Sequence, residues 1–170
     1  SRLGGGMPVD PCLADLSVIC REALEELETS HPGSRVSLRV LGQGLGEWDA
    51  GRLSQVVSNL VGNALQYSPE GAPIRVTVDG QTDHEVVLSV HNEGAPIPEE
   101  VLPKLFEPFR RGTREHAHHG GGLGLGLYIV QQIILAHGGT LGAESQPGEG
   151  TTFTARLPRE NPGMPAPLAN

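Results

Sequence analysis

A chain of 170 residues with 37% hydrophobic and 4% aromatic side chains suits one domain with an aliphatic core. Its formal net charge of −8 and pI of about 5.3 argue against a general binder of nucleic acid or of anionic membrane. Cys12 and Cys20 make neither a disulfide framework nor a zinc spacing, and no apolar run approaches the roughly 20 residues of a membrane span. A reducing cytoplasm is the expected setting.

The opening SRLGGG carries no signal-peptide pattern and reads as a cut through a larger protein. Asp10 to Glu28 is expected to be a helix, with Leu13, Leu16, Ile19, Cys20, Ala23, Leu24 and Leu27 at helical spacing and His31-Pro32-Gly33 closing it. Ser34 to Leu41 alternates, with Val36, Leu38 and Val40 on one side, as in a half-buried strand. Glu47-Trp48-Asp49 makes a short strand leading into the most strongly patterned stretch. From Asp49 to Ser68, Leu53, Val56, Val57, Leu60, Val61, Ala64 and Leu65 recur at i, i+3, i+4 and i+7, the buried face of an amphipathic helix. Asn59, Asn63 and Tyr67 lie four residues apart along one edge of that face.

Ser68-Pro69-Glu70-Gly71 stops this helix. Ile74, Val76 and Val78 alternate in a second strand, Glu85 to His91 forms a third, and Asp79 to Asp83 turns between them. Pro98 to Leu105 begins like a helix, with Pro98 and two glutamates in its first turn. Glu107 to Gly122, rich in Arg, His and Gly, reads as a mobile loop. Leu123 to His137 is a strongly apolar helix closed by Gly138-Gly139. Thr140 to Glu144 and Thr151 to Leu157 form a closing hairpin around Gly148-Glu149-Gly150. Pro158 to Asn170 reads as a disordered tail. The sum is an α/β fold: a mixed, mostly antiparallel sheet with helices on one face.

Four clusters carry candidate chemistry. Asparagine is a mediocre helix former, so two of them one turn apart beside a core need partners. These are either neighbouring loops or a hydrated cation and phosphate, since hard cations such as magnesium take oxygen ligands. Gly122-Leu123-Gly124-Leu125-Gly126 opens an apolar helix. It suits either a phosphate chain held by free N–H groups or a hinge. It is neither a Walker loop nor a dinucleotide fingerprint. Asn92 ends a strand and begins a turn, where its amide reads either as a plain turn residue or as a reader of a base edge. Phe106 and Phe109 form a small apolar clamp or a base stack. Arg110 and Arg111 stand at the root of the loop, as solvated surface or as a local positive patch. His116, His118 and His119 have no second cluster to complete a metal site.

Together these segments resemble a known family. QVVSNLVGNALQYS resembles the N box of sensor histidine kinases, HNEGAPIP their first glycine box, LFEPF their F box and GLGLGLYIV their second glycine box. GEGTTFTARLP resembles the closing strand of the same domain. Any one box is weak evidence, but four in order and at matching spacing are specific. The HNEG variant resembles kinases of the bacterial phytochrome-like group.

The resemblance implies a two-layer Bergerat α/β sandwich over residues 10–158, with an ATP lid at about 107–121. Residues 1–9 would be the end of a dimerisation-helix region and 159–170 a tail. It implies ATP and Mg²⁺, with Asn63 as the magnesium ligand and Asn59 beside it on the phosphate side. Tyr67 would pack near adenine, Asn92 would read its amino group, Gly94 would make room for it, Ile97 would line the pocket and Thr152 would assist. Phe106, Phe109 and Arg110 would border the nucleotide and Arg111 would contact the γ-phosphate. Gly122 and Leu123 would open the phosphate turn, and the amides of Gly124, Leu125, Gly126 and Leu127 would hold the phosphates. Asn59 and Arg111 would be the catalytic pair.

Departures from the pattern are Asn92 for the usual aspartate, Gln66 for a common lysine, Pro96 for a glycine and Leu123 for a small hydroxyl residue. Related ATPases carry a water-activating glutamate at the position of Asn59, so little hydrolysis is expected. The implied reaction is phosphoryl transfer to a histidine on a dimerisation domain absent from this chain, in a homodimer that serves a response regulator. Isolated, the chain is expected not to autophosphorylate, and it is expected to contact neither nucleic acid nor membrane. The competing readings are a degenerate nucleotide-binding or interaction module of the same fold without kinase activity, and an anti-sigma-type serine kinase. The latter would need an acid near Asn59.

Overall fold

The computed structural model describes residues 6–108 and 125–160. In chain order the elements are β1 (Cys12–Asp15), α1 (Leu16–Ser30), β2 (Val36–Gly42), β3 (Leu45–Trp48), α2 (Ala50–Tyr67), β4 (Ile74–Gly80), β5 (Glu85–Asn92), a 3-10 turn (Leu102–Lys104), α3 (Leu125–Ala136), β6 (Thr140–Gln146) and β7 (Gly150–Pro158). Five strands form the main sheet in the order β2-β4-β5-β7-β6, and β1 pairs with β3 in a separate ribbon. Only the β2–β4 pairing is parallel in the main sheet; the other three are antiparallel. A parallel neighbour needs a long crossover, and here β3 and α2 supply it.

Period-2 patterning decides which face of the sheet is dry. Ile74, Val76 and Val78 of β4, Val86, Leu88 and Val90 of β5, and Phe153, Ala155 and Leu157 of β7 are buried. They meet Leu53, Val56, Val57, Leu60, Val61 and Ala64 of α2, and Val130, Ile133 and Ile134 of α3. Arg75, Ser89, His91, Thr152 and Arg156 alternate onto the opposite, more open face. Asp49 caps α2 with Oδ1 accepting from the Arg52 amide at 3.1 Å, which satisfies one of the orphan donors of the first turn.

Two element predictions are corrected. The expected helix from Asp10 does not begin until Leu16. Asp15 caps it, accepting from the Ser17 amide at 2.9 Å, and Cys12–Asp15 is drawn into the ladder with β3. Leu13 matches the helical spacing by coincidence and is 77% exposed. The expected helix from Pro98 is only one 3-10 turn, closed by the Lys104 amide on Val101 O at 2.8 Å. Pro103 contributes, since it has no N–H to donate to a continuing helix.

Leu123 and Gly124, most of the expected loop and lid, and residues 161–170 of the tail lie outside the described residues. Arg159, one residue beyond the boundary expected at Pro158, is hydrogen-bonded to the strands. Arg159 donates from Nη1 to Leu45 O at 2.6 Å, and from Nη2 to Gly80 O at 2.8 Å and Thr82 O at 2.7 Å. Its own carbonyl accepts from the Glu47 amide at 2.7 Å, so Arg159 holds β3 to the main sheet.

Candidate functional site

α2 and α3 run antiparallel and are tied at two levels. At one, the Asp49 amide donates to His137 Nε2 at 3.0 Å, while His137 Nδ1 lies 2.9 Å from Ile133 O and carries the proton. His137 is 1% exposed, and burial lowers its pKa against the opposing pulls of the Ile133 carbonyl and the Asp49 charge. At the other level, Asn59 Nδ2 donates to Gly126 O at 3.3 Å. A Cβ on Gly126 would lie 4.0 Å from Asn59 Cγ. The N box helix and the start of the second glycine box are thus neighbours. The described part of α3 opens at Leu125, beside Asn59.

Asn63 lies one turn beyond Asn59, half-buried, and no described residue hydrogen-bonds its amide. Gln66 is half-buried and Tyr67 exposed at the end of the same helix. An amide oxygen such as that of Asn63 is of the kind a hard divalent cation takes. Phe109, Arg110, Arg111, Gly122, Leu123 and Gly124 lie outside the described residues.

Asn92 ends β5 on the dry face and is 5% exposed. Its Nδ2 donates to Glu93 O at 2.9 Å, which leaves Oδ1 as the acceptor. Gly94 has φ 146°, and a Cβ there would stand 2.7 Å from Tyr67 O. Its lack of a side chain therefore allows a close approach to the end of α2. Ile97 is half-buried, and its amide donates to Ser145 Oγ at 2.7 Å. Phe106 sets its ring edge-on to Phe153 at 6.2 Å, so its described contact is with the core.

Thr152 is corrected. Its Oγ1 lies 2.8 Å from His91 Nδ1, on the far side of the sheet from Asn92. Burial, then the Arg75 charge, lowers the His91 pKa against the pull of Glu93. The residue opposite Asn92 in the β5–β7 ladder is Thr151, which is 4% exposed. Thr151 Oγ1 is 2.8 Å from Ser145 Oγ. The signal was present in the alternation of Phe153, Ala155 and Leu157, which puts odd-numbered positions of β7 on the dry face. Ser145 and His137 were missed as well. Their roles depend on partners 48 and 88 residues away in sequence, Ile97 and Asp49.

Helices on one face of a mostly antiparallel sheet, with polar side chains gathered where α2, β5 and β7 approach one another, are the layout of the Bergerat α/β sandwich. The family model for the histidine kinase-, DNA gyrase B- and HSP90-like ATPases matches residues 48–161. A bacteriophytochrome from Pseudomonas aeruginosa is 38% identical over 160 residues, covering 93% of this chain and 22% of that protein. The sensor histidine kinase WalK of Bacillus subtilis is 40% identical over 113 residues, covering 66% of this chain and 18% of that protein. The mycobacterial sensor histidine kinase MprB superposes with a TM-score of 0.77 at 26% identity, covering 89% of this chain and 99% of that one. The nucleotide-free catalytic domain of histidine kinase ThkA gives 0.75 at 29% identity, covering 90% and 98%. The chain belongs to the histidine kinase-, gyrase- and HSP90-like ATPase family, as a catalytic domain of the sensor histidine kinase type. It spans about a fifth of the length of the first two relatives.

Proposed function

We propose that this chain binds Mg-ATP between α2 and the start of α3. In a longer protein it would present the γ-phosphoryl group to a histidine on a dimerisation domain. The contact of Asn59 with Gly126 carries this reading, because it sets the asparagine edge of α2 against the amide-rich start of α3. The γ-phosphorus would lose its bond to the β–γ bridging oxygen, releasing ADP, and gain one to the acceptor nitrogen. Asn63 would hold magnesium through its amide oxygen, with Asn59 beside it. The bound ion supplies charge neutralisation on the phosphates. The amides of Leu125 to Leu127 would hold the phosphate chain, with Arg110 and Arg111 adding positive charge from the lid. Asn59 has no carboxylate to activate water, so transfer is favoured over hydrolysis.

At the base, Asn92 Oδ1 offers an acceptor and the Thr151 hydroxyl a donor. Adenine presents an amino donor and a ring acceptor side by side, whereas guanine presents the reverse. Asn92 is uncharged, so it would read the amino group more weakly than an aspartate, and adenine preference would persist. A phosphoacceptor domain, a second copy of the protein through that domain and a response regulator complete the proposed signalling unit. Among the described residues no helix is long and apolar enough to cross a membrane.

Calorimetric titration with Mg-ADP, a non-hydrolysable ATP analogue and GTP tests the reading, with Asn63→Ala beside the wild type. Adenine nucleotides are expected to bind preferentially. Asn63→Ala, or withdrawal of magnesium, is expected to weaken binding about tenfold or more, the loss of a charge-assisted contact. Absence of binding at millimolar nucleotide would leave a module of this fold without kinase activity.

A further inference from the structure

We infer that Ser145 is a positioning residue that aims the Thr151 hydroxyl and thereby sets the preference for adenine over guanine; this rests on the nucleotide reading above. Ser145 stands opposite Thr151 in the β6–β7 ladder, and Thr151 stands opposite Asn92 in the β5–β7 ladder. The three side chains therefore share the dry face, with neighbouring Cβ atoms about 5 Å apart in such pairs. Ser145 Oγ accepts from the Ile97 amide at 2.7 Å and lies 2.8 Å from Thr151 Oγ1. Among the described residues Ser145 has no other hydrogen-bond partner.

A hydroxyl has one proton and two lone pairs. The Ile97 amide occupies one lone pair of Ser145. If Thr151 donated to the second, the Ser145 proton would be left without an acceptor in a half-buried place, which is costly. The favoured arrangement runs one way: Ile97 N–H to Ser145 Oγ, then Ser145 O–H to Thr151 Oγ1. Each bond polarises the next. Thr151 is then left with its own proton to give. Beside it, Nδ2 of Asn92 is committed to the Glu93 carbonyl, so Asn92 Oδ1 is an acceptor. The site therefore offers one donor and one acceptor in fixed order, and the order matches adenine. A base with the opposite order leaves both groups unpaired, which is how polar sites reject close analogues.

Without Ser145, the Thr151 hydroxyl rotates and accepts as readily as it donates, so guanine is penalised less. The Ile97 amide also loses its acceptor. The test is titration of ADP and GDP into wild type, Ser145→Ala and Ser145→Thr, with amide hydrogen exchange at Ile97 in the nucleotide-free proteins. For Ser145→Ala we expect the ADP-over-GDP preference to fall about tenfold and Ile97 protection to drop. Ser145→Thr keeps the hydroxyl on a residue suited to a strand and is expected to restore both. An unchanged preference in Ser145→Ala, or equal weakening of ADP and GDP, overturns the inference while the nucleotide reading stands. A wild type that binds neither nucleotide overturns that reading and this inference with it.

Discussion

Thr151 and Thr152 are chemically identical and adjacent, yet they lie on opposite faces of β7. Thr151 is buried across from Asn92, while Thr152 bonds His91 on the open face. One position in a strand reverses which side of the sheet a hydroxyl serves. The expected outcome is that Thr151→Val weakens ADP binding about five- to tenfold, the value of one net hydrogen bond. Thr152→Val should change it less than twofold. Paired calorimetric titrations decide between them, and an inverted order would remove Thr151 from the base site. The swap preserves shape, and at Thr151 it also removes the partner of Ser145, so the fold of each variant is checked by circular dichroism before titration.

At the scale of elements, α2 and α3 are held like two rungs of a ladder. Asp49 and Asn59 are ten residues apart on α2, and their partners His137 and Gly126 are eleven apart at the ends of α3. Over about 15 Å of helix this match keeps the two in register. His137 accepts a backbone proton at one nitrogen and donates at the other, so His137→Ala orphans the Asp49 amide and opens a cavity. We expect it to lower unfolding free energy by about 2–4 kcal/mol in urea titration.

The pH dependence follows from the same residue. Its native pKa lies below the ordinary 6.5 because burial disfavours the charged ring. Below pH 6.5 the unfolded chain takes up a proton that the native state refuses. The histidine contribution to stability is therefore whole above that pH and is lost as pH falls toward the native pKa. As pH falls below 6.5, wild type should lose more stability than His137→Ala does. Equal slopes would mean that the ring is free to protonate in place.

The whole molecule is closed by Arg159. Its guanidinium gathers the carbonyls of Leu45, Gly80 and Thr82, and its backbone bridges His84 and Glu47. The β1–β3 ribbon leads directly into α2, so this latch holds the helix that carries Asn59 and Asn63 onto the sheet. A chain ending at Pro158 is expected to melt roughly 5–10 °C below one ending at Glu160, corresponding to about 2–3 kcal/mol. Thermal denaturation followed by circular dichroism measures this, and Arg159→Ala in the full chain should reproduce most of the loss. Identical midpoints would show the latch to be ornamental to stability.

The sequence alone determined the central helix, the strands β2, β4, β5, β6 and β7, their membership in a mostly antiparallel sheet, and the family. These rest on apolar periodicity and on box motifs, which are local in the chain. It could have placed Thr151 too, since strand parity is local. It failed at Leu13, where a helical spacing was outweighed by a ladder with β3, and at Pro98, where a helix-like first turn was not continued past Pro103. Only the tertiary structure decided that Gly94 makes way for the Tyr67 carbonyl, that Ser145 receives the Ile97 amide, that His137 braces Asp49, and that Arg159 gathers the Leu45 carbonyl. Each of these joins atoms far apart in sequence. The pairing of a buried donor with its acceptor is settled by where the whole chain packs, and no local pattern of residue types records it.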